Sequence, residues 1–134
     1  YRKDRIRKMQ TKLRKIQIRK NMGWCNDPRS KNYNKLIYSP FKFNYEKLYK
    51  RENIYDIILV LNYNMSPVKK NKGSAIFIHI AKKNYKKTEG CIAVKKVHLL
   101  KIIRSIFSKK ICLASSKNKG LKKISRTNHE NVTS

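Results

Sequence analysis

The sequence predicts a mostly β domain, a β-sandwich or a partly open barrel, with one C-terminal helix packed on the sheet. Three short runs rich in β-branched and aromatic residues, 55–63, 74–80 and 91–94, have the composition of strands. Only one stretch near the C-terminal end, 97–107, repeats apolar residues at helical spacing (97, 100, 103 and 107). A chain of 134 residues can bury one hydrophobic core but not two.

The first fifty residues carry weaker signals. Apolar positions in residues 1–20 fit a helix at first, whereas Ile16–Arg19 alternates like a strand. This basic segment is therefore predicted to be an amphipathic segment on the protein surface. A more specific alternative is a helix that lies on a membrane surface. Residues 23–34, rich in Gly, Asn, Asp and Pro, are predicted to form a loop. Residues 45–53 place apolar side chains on one side and predict a short helix.

The later strands are predicted to be linked by polar loops, 64–73 around Pro67 and 81–89. Because side chains alternate along a strand, the run 74–80 places its three isoleucines on one face. Ala75, Phe77 and His79 then lie on the other face.

Residues 108–134 lose any apolar period, being rich in Ser, Asn and Lys. They are predicted to form a basic, disordered tail.

One cysteine and one histidine stand at positions that can form a nucleophile pair. His79 lies late in an apolar strand, and Gly90-Cys91 opens the next apolar run. A catalytic thiol needs an imidazole to accept its proton, and the glycine before it allows a tight turn beside the sulfur. The backbone N–H groups of Gly90 and Cys91 could then face a developing oxyanion. The alternative is a buried, inert cysteine and a hydrogen-bonded core histidine.

An ordered set of short motifs resembles a branch of the L,D-transpeptidase family, the YkuD-like catalytic domain. The set begins with Gly23-Trp24-Cys25-Asn26-Asp27-Pro28 and Asn32-Tyr33-Asn34, continues through Tyr55-Asp56, Tyr63-Asn64 and Pro67-Val68, and ends with Gly73–His79 and Thr88–Val94. The similarity spans residues 1–107, which would be an N-terminally truncated catalytic domain, followed by the tail 108–134. It favours an irregular lead-in that ends in a strand. Two departures are that Glu89 stands where many members have histidine, and that Ala93-Val94 follow the cysteine without the usual Arg or Asn.

The resemblance implies a cysteine enzyme that modifies peptidoglycan. Cys91 would form a thioacyl-enzyme with a stem peptide, which is transferred to an amine or to water, and His79 would activate Cys91. Cleft or supporting roles fall to Thr88, Glu89, Ser74, Trp24 and Tyr33, although Trp24 can equally be a packing anchor and Glu89 can simply shape a turn. The implied location is the periplasm or cell envelope, although no signal segment is present in these residues. The rival hypotheses are a catalytically silent wall-binding domain and a basic nucleic-acid-binding module.

The formal charge of +28 comes from 35 Lys and Arg against 7 Asp and Glu. Lysine is abundant together with Ile, Asn and Tyr, and these four residues share A/T-rich codons. The charge is therefore interpreted as a result of genome composition rather than as a dedicated nucleic-acid site, and it suits an environment of anionic wall polymers. No run approaches a membrane span. The spacing of the cysteines and histidines predicts no metal site, and no cofactor is expected. Cys25 and Cys112 remain candidates for a disulfide.

Overall fold

The structure, a computed structural model, describes residues 1–83, 91–106, 112–113 and 124–125. For the last two pairs only the backbone is described. The described elements in chain order are β1 Met22–Cys25, β2 Leu36–Tyr38, β3 Tyr45–Lys47, a 3₁₀ turn Asn53–Tyr55, β4 Ile58–Val60, β5 Phe77–Ile80, β6 Ile92–Val94, α1 Lys96–Ser105, β7 Cys112–Leu113 and β8 Ile124–Ser125.

The first sheet has the order β2-β1-β3, with both pairs antiparallel. Its central strand, β1, is buried along its whole length. Gly23 is required there because a Cβ atom would lie only 2.4 Å from a ring carbon of Tyr45 on the neighbouring strand. The absence of a side chain at position 23 thus makes room for the ring of Tyr45.

The second sheet has the order β4-β5-β6 and holds the candidate site. Strand β5 is antiparallel to β4 and parallel to β6. Every residue of β5 is buried, because both of its faces are covered. Ile78 and Ile80 pack in a cluster with Leu99 and Ile103 of α1, whereas Phe77 packs in a second cluster with Trp24 and Tyr55.

Helix α1 covers the isoleucine face of the second sheet. Its buried residues are Leu99 and Ile103, each of which stabilises the fold by about 1.5–3 kcal/mol through burial. Val97 was expected on this face but is 53% exposed. In the first turn of the helix Leu99, and not Val97, is the residue that packs into the core.

The predicted fold class is confirmed: the described residues form two small sheets of mostly short strands with one C-terminal helix and no closed barrel. The predicted strands at 55–63, 74–80 and 91–94 are present as the shorter β4, β5 and β6. The alternation predicted for 74–80 is also correct in strand β5, since Ile78 and Ile80 face the helix and Phe77 faces the other cluster.

Two predictions in the first fifty residues are wrong. Residues 45–53 are not a helix; Tyr45–Lys47 is strand β3, because pairing with β1 outweighs the local helical pattern. The predicted loop 23–34 begins inside strand β1. Gly23, expected to belong to the loop, lies in this strand, where its lack of a Cβ atom makes room for Tyr45.

Residues 1–21 contain turns but no regular strand, so the extended segment Ile16–Arg19 is not paired in a sheet. Ile6 and Ile18 are nevertheless buried, so this segment covers the core as an irregular lead-in to β1.

Most of the predicted tail, 108–134, lies outside the described residues. Within it, β7 and β8 form an antiparallel pair of two residues each. No helix within the described ranges is long and apolar enough to cross a membrane.

Candidate functional site

His79 lies at the centre of the second sheet, where its neighbours fix both its position and its tautomer. It is opposite Ile58 on β4 and Ala93 on β6, and it is 4% exposed. Its Nδ1 is 2.9 Å from the carbonyl oxygen of Ile80. A carbonyl oxygen can only accept a hydrogen bond, so Nδ1 carries the proton and donates it. In the neutral form of the ring, the basic nitrogen is then Nε2.

Cys91 immediately precedes β6 on the same face of the sheet. Because Ile92 lies opposite Ile78 in a parallel pair, Cys91 falls beside Phe77, two residues along β5 from His79. Consistent with this register, Cys91 packs against the cluster that contains Phe77 and Tyr55. The register thus places the two sequence-predicted residues on one face of the sheet, with Cys91 next to Phe77 and diagonal to His79.

The Cys91 thiol is held in its protonated form. Its Sγ donates a hydrogen bond to the carbonyl oxygen of Ala75 at 3.2 Å. Burial raises the pKa of Cys91, the backbone N–H of Phe77 opposes this rise, and the negative charge of Glu46 adds to it. These surroundings therefore disfavour the thiolate of Cys91.

Tyr55 and Glu46 complete the surroundings, and the sequence analysis did not single them out as site residues. The Tyr55 ring contacts the His79 ring edge-on, with centroids 5.4 Å apart, and contacts Phe77 in the same manner at 6.1 Å. Burial and the nearby Glu46 raise the pKa of Tyr55 above its usual range, so its hydroxyl stays protonated. Glu46 also forms an ion pair with Lys50 at 3.0 Å.

The side chains of Trp24, Tyr33 and Ser74 each make a ring contact or a hydrogen bond that links the segments around the site. The Trp24 indole is buried edge-on against Phe77, with ring centroids 5.4 Å apart. The buried Tyr33 hydroxyl accepts a hydrogen bond from the backbone N–H of Gly73 at 3.3 Å. Ser74 Oγ donates to the carbonyl oxygen of Cys25 at 2.7 Å. These contacts tie β1 and the loop after it to the segment that enters β5.

Asn34 is the centre of this loop arrangement. Its Oδ1 accepts hydrogen bonds from Trp24 Nε1 at 2.8 Å and from the backbone N–H of Ala75 at 3.2 Å. Its Nδ2 donates to the carbonyl oxygens of Tyr63 and Asn64 at 3.0 and 2.8 Å. Asn34 thereby fixes Ala75, whose own carbonyl accepts the Cys91 thiol. The sequence signal that could have identified it is an asparagine in a turn-rich loop, a residue that tolerates the left-handed backbone found here (φ 57°).

Thr88, Glu89 and Gly90 lie outside the described residues, and with them one of the two proposed oxyanion donors. Cys25 is a buried free thiol, so the suggested disulfide with Cys112 is absent. Among the described residues no three His, Cys, Asp or Glu side chains are grouped as metal ligands would be.

The imidazole of His79 and the thiol of Cys91 therefore lie on one face of the second sheet. No protein-family model, no curated protein and no solved structure matches this chain.

Proposed function

We propose that this chain is a cysteine acyltransferase of the L,D-transpeptidase kind, with Cys91 as the nucleophile and His79 as the general base. One observation carries the proposal: the Ile80 carbonyl orients the His79 ring so that Nε2 is the basic nitrogen, on the sheet face shared with Cys91. A general base needs one defined basic nitrogen, and the bond at Nδ1 leaves Nε2 in that role.

The reaction begins with proton transfer from Cys91 Sγ to His79 Nε2 as the sulfur attacks the carbonyl carbon of the acyl donor. The resulting imidazolium is stabilised by its Nδ1–H bond to the Ile80 carbonyl. His79 then protonates the departing amine, and the C–N bond breaks to leave a thioester on Cys91. An acceptor amine or water attacks the thioester, His79 takes the proton of that nucleophile, and Sγ leaves and is reprotonated.

The resemblance in sequence supports a peptidoglycan stem peptide as the acyl donor and the periplasm or cell envelope as the location. The surface charge is compatible with anionic wall polymers. Asp4, Asp27, Glu46 and Asp56 form ion pairs, and the 7 acidic residues of the chain offset only a small part of the charge of its 35 Lys and Arg. Such an attraction would weaken with salt.

The test is to incubate the protein with purified tetrapeptide stems and to follow the products by mass spectrometry. We expect loss of the terminal D-amino acid and either a cross-linked or a hydrolysed product. Cys91→Ser and His79→Gln should abolish or greatly slow this reaction. His98→Gln, on the exposed start of helix α1, is the matched control and should keep the activity.

The burial that raises the pKa of Cys91 also favours a second candidate, a catalytically silent domain that binds the wall. Unchanged stem peptides together with retention on purified wall sacculi would support that alternative. The nucleic-acid alternative has less support, because Trp24 and Tyr33 are buried and cannot stack on bases.

A further inference from the structure

An apolar cavity of about 390 Å³ lies between the irregular N-terminal segment and the two sheets. Residues 9–18 form one side of it, and β1, β4 and β5 supply most of the other. Neither Cys91 nor His79 lines it, so it is separate from the candidate active site. Its volume lies within the range of small-molecule sites, which starts at about 300 Å³.

The lining is mainly aliphatic, and its few polar groups are unsuited to hold water. Ile, Leu, Met and Val predominate, with Trp24 and Phe77 adding aromatic surface. The Thr11 hydroxyl already donates to the carbonyl oxygen of Ile103 at 2.8 Å. Water in a cavity needs two to four polar partners, and an empty apolar cavity costs stability in proportion to its volume. An apolar ligand would therefore be the most favourable content.

The rim of the cavity is basic. Arg14 and Lys15 border it and are exposed, and neither makes an ion pair or side-chain hydrogen bond within the described part of the chain. No aspartate or glutamate is found among the described residues that line the cavity. Ile16 and Val60, 45% and 41% exposed, also border it, so apolar surface continues outward to the solvent.

We propose that this cavity binds one single-chain alkyl carboxylate, with the alkyl chain inside and the carboxylate between Arg14 and Lys15. The volume suits one chain rather than a two-chain lipid. The aliphatic lining favours an alkyl chain, and the two cations favour an anionic over a neutral or cationic head group.

Trp24 provides the readout, because it lines the cavity and is the only tryptophan of the chain. The probe is 11-bromoundecanoate, whose bromine quenches indole fluorescence on contact. We expect saturable quenching that unbrominated undecanoate reverses. Undecanol and undecylammonium should compete at least fivefold more weakly, and raising the salt concentration should weaken the binding of the carboxylate.

Charge reversal at the rim by Arg14→Glu with Lys15→Glu should raise the Kd at least fivefold. The matched pair Lys69→Glu with Lys70→Glu, exposed and not among the residues that line the cavity, should leave it unchanged. Leu36→Phe, which narrows the cavity, should reduce the quenching while the far-ultraviolet circular dichroism stays the same.

Absence of saturable quenching in the unmodified protein would overturn the proposal. A peptide segment that filled the cavity would give the same result, and it too would exclude an alkyl carboxylate as the occupant. Equal competition by undecanol, or equal loss of affinity in both charge-reversed pairs, would overturn the assignment of the carboxylate to Arg14 and Lys15.

Discussion

Replacing Asn34 by alanine should be among the most destabilising single changes in the chain. The substitution removes both acceptor bonds at Oδ1 and both donor bonds at Nδ2. The bond from Trp24 is buried, and an unsatisfied buried donor costs about 1–3 kcal/mol; the three partly buried bonds contribute about 0.5–1.5 kcal/mol each. Alanine at a φ of 57° adds about 1–2 kcal/mol of backbone strain. Together these effects predict a loss of about 3.5–9.5 kcal/mol, comparable to the whole stability of a marginal domain.

Two companion variants separate the contributions. Asn34→Gly loses the same four side-chain bonds but tolerates the left-handed backbone, so it should be more stable than Asn34→Ala by about 1 kcal/mol. Asn71→Ala is the matched control for strain, because Asn71 is exposed and has a φ of 63°. It should cost only about 1–2 kcal/mol.

The assay is urea-induced unfolding, followed by the fluorescence of Trp24 and by circular dichroism. If Asn34→Ala lost no more free energy than Asn71→Ala, the claim that Asn34 holds the loops together through its side chain would be refuted. If Asn34→Ala and Asn34→Gly were equally stable, the strain at position 34 would be refuted.

Three further predictions concern the sheet face that carries Cys91. First, alkylation of Cys91 by iodoacetamide should have its half-maximal rate at a higher pH than that of a cysteine in a short peptide, since burial raises its pKa. Glu46→Gln should lower that pH, and an unchanged midpoint would contradict the influence of Glu46. Second, the free energy of unfolding should fall as pH rises above the ordinary pKa values of cysteine and tyrosine, because the unfolded chain releases protons that Cys91 and Tyr55 retain in the fold; Tyr55→Phe should reduce this slope, measured by urea unfolding at several alkaline pH values. Third, a carbapenem, as an acyl-donor mimic suggested by the family resemblance, should form an adduct on Cys91 only, and His79→Ala should slow its formation. Peptide mass spectrometry checks this, and labelling of Cys25 at a similar rate would argue against an activated Cys91.

The second sheet could be predicted from sequence because its signals are local. Strands β4, β5 and β6 are continuous apolar runs, and alternation alone assigned His79 to the face opposite Ile78 and Ile80. The pairing of β5 with β6 then follows in the structure, and it places Cys91 on the same face.

The first sheet could not be predicted because its strands depend on contacts distant in sequence. Tyr45–Lys47 carries Glu46 four residues before Lys50, a helical pair, and the two side chains do form an ion pair although Tyr45–Lys47 is a strand. Tyr55 and Asn34 were missed as parts of the site for a related reason. Their roles arise from the partners that the fold brings to them, and no spacing motif marks those partners.

The carbonyl of Ile80 has a consequence for the evolution and design of such a site. In many catalytic triads a third side chain orients the histidine, so a single mutation can remove that orientation. Here the orienting group belongs to the backbone of the residue that follows His79, and every amino acid supplies it. The orientation of this imidazole should therefore survive substitution of Ile80, because any residue at that position keeps the carbonyl group. To transplant the proposed pair, a designer would need Cys and His on neighbouring parallel strands and no third side chain to hydrogen-bond Nδ1.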